Sequence, residues 1–162
     1  MRFVCLVLCG LLLAGCASAE VFETVADIPA EPVIAPQMQI RVELPQDAAV
    51  CVMDDGEGAK MFLCDGYSLW IQTLPGGDLD RTVRTVSGFD RQGLQILERQ
   101  DGQGRRYEWV WSSAGEAGDQ LCRAVVLDDG EHHYCMAVMT AAEDAASLRD
   151  ELDQVFASFE VE

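Results

Sequence analysis

Two adjacent histidines, His132 and His133, follow Glu131 and precede Cys135 by a few residues. Imidazole, carboxylate and thiol are the groups that ligate metals and move protons near neutral pH. On a strand, however, neighbouring side chains project to opposite faces, so the two rings cannot share one ion. The expectation is of solvent-facing histidines and no metal site. Asp54-Asp55-Gly56-Glu57 and Asp128-Asp129-Gly130-Glu131 offer the oxygen ligands that calcium takes, but they lack the spaced carboxylates of a calcium loop, and Asp-Gly is in the first place turn chemistry. The sequence contains no Gly-x-Ser-x-Gly, no His-Glu-x-x-His and no phosphate-cradling glycine loop. No catalytic residue and no cofactor are therefore assigned. Tyr107, Trp109 and Trp111 alternate with Arg106, Glu108 and Val110, which sets three rings on one face of one strand. They either pack as core beneath the terminal helix, where Phe156 and Phe159 need partners, or form an exposed platform for sugar rings or a protein partner, where Tyr and Trp are favoured.

The remaining reactive groups are cysteines, and their chemistry depends on compartment. Arg2 and the amino terminus are followed by an apolar run, Phe3 to Leu13, broken only by Gly10 and too short to span a bilayer. The segment ends Leu13-Ala14-Gly15-Cys16, which resembles the bacterial lipobox. That resemblance implies cleavage before Cys16 and a diacylglyceryl thioether on its sulfur, so that residues 1–15 are a signal peptide and the chain is lipid-anchored at the cell membrane, facing outside the cytoplasm. An Ala17-Ser18-Ala19 pattern offers a rival cut that would release a secreted protein.

On that reading Cys5 and Cys9 leave with the signal, Cys16 carries lipid, and Cys51, Cys64, Cys122 and Cys135 remain of the seven cysteines. An even number in an exported domain points to disulfides. The spacing within Cys51/Cys64 equals that within Cys122/Cys135, and each pair brackets an Asp-Asp-Gly-Glu turn. This suggests two stapled hairpins. A first turn centred on Glu57-Gly58 sets Cys51 opposite Cys64. A second turn centred on Asp129-Gly130 sets Cys135 opposite Ala124 and Cys122 opposite Ala137, on one face but diagonal. Sheet-crossing pairs and buried free thiols are the alternatives.

The chain must build elements that carry these groups. It has 11 Lys and Arg against 28 Asp and Glu, for a net charge of −17, and loss of Arg2 makes the mature chain one unit more negative. Such a charge repels nucleic acid and anionic headgroups, which excludes nucleic-acid binding and leaves the lipid as the membrane contact. Residues 16–38 contain Pro29, Pro32 and Pro36 and read as a tether of extended, polyproline-like chain, or as a segment packed along the domain.

A single domain is expected over residues 39–162. Gln39 to Leu44 alternates apolar and polar residues up to Pro45, as a strand with one buried face does. Ala49 to Met53, Lys60 to Cys64 and Tyr67 to Leu74 continue a meander. Asp78 is placed to cap a short helix carrying Leu79, Val83 and Val86, with Gly88 as its stop. Gly93 to Gln100, Arg105 to Ser113, Leu121 to Leu127 and His132 to Met139 read as four further strands joined by hairpin turns. Thr140-Ala141-Ala142-Glu143 matches a capping box for a terminal helix whose stripe is Leu148, Leu152, Val155, Phe156 and Phe159.

The fold class is α+β: an antiparallel sheet of six to seven strands, a short middle helix and a C-terminal amphipathic helix across one face. This order, ending in Phe156-Ala157-Ser158-Phe159, resembles that of the PsbP-like domains. The expected function is a non-catalytic binding module at the cell envelope whose partner is a protein, a glycan or a small ligand. The alternative is a secreted or anchored hydrolase with an unrecognised carboxylate site, and it requires a cleft with at least two convergent carboxylates of divergent acidity.

Overall fold

The computed structural model describes residues 37–52, 58–115 and 118–162. The signal segment, Cys16, all of the tether but its last two residues, and the first Asp-Asp-Gly-Glu turn lie outside the described residues. In chain order the elements are β1 (Ile40–Arg41), β2 (Ala49–Val52), β3 (Lys60–Cys64), β4 (Tyr67–Pro75), α1 (Leu79–Ser87), β5 (Leu97–Asp101), β6 (Gly104–Gly115), β7 (Gly118–Asp128), β8 (His132–Ala141), α2 (Arg149–Ala157) and β9 (Glu160–Val161), with a 3-10 turn at Arg91–Gly93. Seven strands form one antiparallel sheet in the order β2-β3-β4-β8-β7-β6-β5, and β1 and β9 pair as a separate ribbon. The fold is thus α+β, as the order of sequence patterns predicts.

Both faces of the sheet are covered. The apolar run Ala124-Val125-Val126-Leu127 in β7 is buried along its whole length, which a strand in the middle of a sandwich requires. Val125 and Leu127 join Tyr134, Met136, Val155, Phe156 and Phe159 in one core, under α2 and the β1–β9 ribbon. Ala124 and Val126 face the other way, toward Val83 of α1 and the rings of β6.

The middle helix forms as its end signals dictate. The Asp78 carboxylate accepts from the Arg81 N–H at 2.9 Å, and Gly88 closes the helix in the left-handed region at φ 76°, donating to the Arg84 carbonyl. The terminal helix departs from expectation. Thr140 does not cap it: the residue lies in β8, buried, with its hydroxyl donating to the Gly66 carbonyl at 2.9 Å. Extending β8 along β4 and β7 satisfies backbone groups that an earlier helix start would leave open, and the helix begins only at Arg149, with no side-chain cap at Leu148. The predicted stripe still reaches the core, although Phe159 sits past the helix end.

The first strand is likewise rearranged. Met38, Ile40, Val42 and Leu44 all turn inward, as their alternation predicts, but only Ile40–Arg41 pairs, and with β9 rather than with the meander. Gln39 and Glu162 exchange backbone hydrogen bonds, and the Met38 N–H donates to the Tyr134 hydroxyl, so Met38 already belongs to the fold. Arg106, on the α2 face of β6, donates to the carbonyls of Phe156 (2.9 Å) and Phe159 (3.4 Å) and so caps the C-terminus of α2 from the sheet.

Candidate functional site

The β7–β8 turn is clamped from two sides. The Gly76 N–H donates to the Glu131 carbonyl at 2.8 Å, and a Cβ at Gly76 would come within 2.7 Å of the Glu131 backbone. On the other side, a Cβ at Gly104, whose φ is +139°, would lie 2.2 Å from the Asp128 carbonyl oxygen. Only glycine allows both approaches. Within the turn, Asp128 accepts from the Gly130 N–H and Asp129 from those of Glu131 and His132, all at 2.7 to 2.8 Å, while the Tyr134 hydroxyl donates to Asp129 at 2.9 Å. Burial by itself would raise the Asp129 pKa, but these donors outweigh it and hold the carboxyl below its ordinary value. The Asp-Asp-Gly-Glu segment therefore spends its oxygens on its own backbone, and among the described residues no three His, Cys, Asp or Glu side chains converge as metal ligands.

The clamped turn forms one wall of a cleft of about 460 Å³. Gly77 through Asp80, at the start of α1, form a second wall, and Glu98, Arg105 and Tyr107, from β5 and β6, a third. His133 lies at its base. Sequence reasoning expected solvent-facing histidines, but His133 is 1% exposed, because β8 is central and α1 seals this face. Its Nδ1 is 2.6 Å from the Thr82 hydroxyl of α1, and its Nε2 is 3.7 Å from Asp128 Oδ2. Burial lowers the His133 pKa, partly offset by Asp128, so the ring is held neutral. The carboxylate beside Nε2 favours the proton there, and Thr82 then donates to Nδ1. His132 points to the opposite face beside Tyr134, ring centroids 5.8 Å apart, as the alternation predicts.

Thr82, His133 and Asp128 form a hydroxyl, imidazole and carboxylate series. The hydroxyl is 2% exposed beneath α1, so it cannot reach a substrate carbonyl. Three of the four cleft carboxylates have other duties: Asp78 caps α1, Asp80 pairs with Arg91 at 3.3 Å, and one oxygen of Asp128 holds its own turn. Among the described residues the Tyr107 hydroxyl has no hydrogen-bond partner, although the residue is only 4% exposed and lines the cleft.

The aromatic row is core rather than an exposed platform. Tyr107, Trp109 and Trp111 are all buried, the two Trp rings stacked at 6.4 Å. They pack with Val83, beneath α1 rather than beneath the terminal helix. The register explains the change of partner, since Arg106 and Glu108 occupy the face toward α2. There Glu108 accepts from Arg106 (2.9 Å) and Arg123 (3.2 Å), Arg123 also pairs with Asp153, and the Arg123 guanidinium lies 4.0 Å from the Phe156 ring centroid. Burial would raise the Glu108 pKa, but the two guanidiniums overcome it and lower it. The exposed apolar residues of this sheet include Val50, Leu63 and Leu97 as well as Val110 and Leu121, and the last two with Val138 and Leu152 line a groove of about 290 Å³ beside α2.

The four cysteines among the described residues are unbridged. Cys51 stands opposite Met61, three residues from Cys64, so the two sulfurs project to opposite faces. Cys122 faces Met139, and Cys135 faces Val126. They share a face but stand about 13 Å apart along the ladder, beyond disulfide reach. Burial raises the pKa of both thiols, and Cys135 has no exposed surface, so they behave as small apolar fillers.

No protein-family model and no curated protein sequence matches the chain. Solved structures do. The fold is shared with the cyanobacterial PsbP protein CyanoP from Synechocystis, at TM-score 0.55 and 14% identity over 83% of this chain and 98% of that one. LpqN, described as involved in cell envelope biogenesis of Mycobacterium tuberculosis, aligns at TM-score 0.50 and 8% identity over 77% of this chain and 84% of its own. A Bacteroides thetaiotaomicron protein aligns at TM-score 0.50 and 14% identity, where this chain spans 45% of the other's length. At such identities the likeness is one of fold. The likeness in fold to CyanoP agrees with the resemblance that the element order suggests.

The cleft was hidden in the sequence because its residues are dispersed. Asp78, Glu98, Arg105 and His133 come from four elements, and only the sheet order brings them together. The available signal was Gly104 and Gly130 beside Arg105, Asp128 and His133, but composition reads those as hairpin turns.

Proposed function

We propose that the protein is an extracytoplasmic lipoprotein, anchored through Cys16, whose PsbP-like domain is a non-catalytic module that binds a small polar ligand in the cleft at His133. The observation that carries this reading is a concave polar site whose Glu98, Arg105 and Tyr107 have no partner among the described residues and stand on rigid strands. Its Tyr107 hydroxyl lacks a partner, and its walls are pinned by the close approaches of Gly76 and Gly104. Binding sites are concave, pre-formed and furnished with a few convergent polar groups, and a volume above about 300 Å³ falls in their range. Burial of the Thr82 hydroxyl and the structural duties of Asp78, Asp80 and Asp128 speak against the hydrolase.

The envelope location draws on Leu13-Ala14-Gly15-Cys16 and on the likeness in fold to LpqN, a protein involved in cell envelope biogenesis. The residues from Cys16 up to Met38, which is already part of the domain, then serve as the spacer, and some 20 extended residues reach about 60 Å from the bilayer.

Two measurements test the proposal. Metabolic labelling with a clickable fatty acid should mark the wild-type chain and not Cys16→Ala; equal labelling of both refutes the anchor. A photo-crosslinking residue at Leu79, on the cleft wall, should trap a molecule in intact cells, with trapping lost in Tyr107→Phe, Arg105→Gln. Trapping indifferent to those changes, or absent, refutes the cleft.

A further inference from the structure

The strand register arranges the cleft groups in two rows. Arg105, Asp128 and His133 are cross-strand partners in one row, and Glu98 and Tyr107 in the next. All five side chains lie on the α1 face of the sheet and line the cleft. The first row sets a guanidinium beside a carboxylate at cross-strand distance, about 5 Å between Cβ atoms. The second sets a carboxylate beside the unpartnered Tyr107 hydroxyl. Two residues along β6 separate the rows by about 7 Å, a span that the extended side chain of a lysine or arginine bridges.

Charge narrows the ligand further. Asp80 and Arg91 neutralise each other at 3.3 Å, while among the described residues Glu98 and Arg105 have no ion-pair partner. Asp78, Glu98 and Asp128 therefore face a single free cation, Arg105, in a chain of net charge −17. Such a field rejects nucleotides and other polyanions and concentrates cations. Leu79 is the one aliphatic side chain among the lining residues, so an apolar ligand gains little.

Building on the cleft-binding reading above, we infer that the cleft takes a basic amino acid or a ligand ending in one. Its carboxylate lies on Arg105, its α-ammonium on Asp128, and its side-chain cation on Glu98 beside the Tyr107 hydroxyl. The first row reads the zwitterionic head, and the second selects for the distal positive charge.

The test is calorimetric titration of the mature chain in detergent with L-lysine, L-arginine, L-alanine, cadaverine and succinate, with NMR shifts of the His133 ring reporting the site. Lysine or arginine should saturate the cleft and move the His133 signals, while alanine and cadaverine, each lacking one of the charges, should bind about ten-fold or more weakly. Glu98→Gln should erase the preference for lysine over alanine, and Arg105→Gln the preference for lysine over cadaverine. Glu98 and Arg105 project from the rim of the sheet, and the melting temperature of each variant confirms that it folds. Absence of saturable lysine and arginine binding, or indifference of both preferences to both substitutions, overturns the ligand class. Succinate moving the His133 signals where lysine does not overturns the class but keeps the cleft as a site. Loss of the cleft-dependent crosslink in cells overturns the underlying reading.

Discussion

Replacing Thr82 with valine removes the hydroxyl that supports His133 from behind the cleft and little else, since the two side chains are nearly isosteric. Thr82 is 2% exposed and His133 1%, so no water replaces the lost partner of His133 Nδ1 at 2.6 Å. Leaving a buried polar atom unsatisfied costs about 1–3 kcal/mol. For a domain of this size that lowers Tm by about 4 to 12 °C. Thermal and urea unfolding followed by circular dichroism measure the loss, and Thr82→Ser should recover most of it. Long-range proton–nitrogen NMR of the His133 ring should show the proton on Nε2 in the wild type. The same bond predicts a pH dependence. Burial depresses the folded-state pKa of His133, while the neighbouring Asp128, Asp129 and Asp78 only partly offset it. The folded state therefore binds fewer protons than the unfolded chain. The stabilising contribution is present above the unfolded histidine pKa of about 6.5 and is lost as pH falls below it, with a slope of at most about 1.4 kcal/mol per pH unit. The lowered carboxyls of Glu108 and Asp129 act in a separate, more acidic window, below about pH 4, where they too destabilise on protonation. A Thr82→Val protein within about 0.5 kcal/mol of wild type, or a His133 proton on Nδ1, would refute the hydrogen bond and the neutral-ring argument together.

Arg106→Met keeps the aliphatic stem but strips the bonds to Glu108 and to the carbonyls of Phe156 and Phe159, and after allowance for partial exposure it should cost about 2–3 kcal/mol in chemical unfolding. Adding Glu108→Gln should cost less than the sum of the two single changes, because they remove one shared interaction; strict additivity contradicts the pairing. Gly104→Ala drives a Cβ against the Asp128 carbonyl and should destabilise by about 2 kcal/mol or more while shifting the NMR signals of the β7–β8 turn. Unchanged stability would contradict the close approach. In the native protein a thiol reagent should modify exposed Cys51 within minutes and leave Cys122 and Cys135 untouched until unfolding, and a disulfide between any two of the four, found in non-reduced peptides, would contradict the register.

Much of the architecture was legible from local patterns. Asp78 and Gly88 mark both ends of α1 because capping is satisfied within one turn of chain. The alternation in β6 and the apolar runs of β4, β7 and β8 mark strands, and the stripe from Leu148 to Phe159 marks a helical face, because these patterns are local properties of the chain. Thr140 misled for the converse reason. Its local signal fits a helix cap, but the backbone partners that β4 and β7 offer lie far away in sequence, and those pairings prevail. Cys51 and Cys64 misled through a shift of three residues in register, which the turn composition does not specify and which reverses a side chain's face.

By itself, the sequence determined an acidic α+β chain whose N-terminal segment resembles a lipobox, most of its helix and strand positions, and the fact that Tyr107, Trp109 and Trp111 share a face. Those properties follow from composition and from short-range periodicity. Tertiary structure alone decided that the aromatic face belongs under α1, that β9 closes back on β1, and that His133 is buried against Thr82. It also decided that Glu98, Arg105, Tyr107 and Asp128 meet around one cleft. Each of these depends on which strands become neighbours and in what register. That choice is made by the burial of two sheet faces at once, a property of the whole chain that no short window contains.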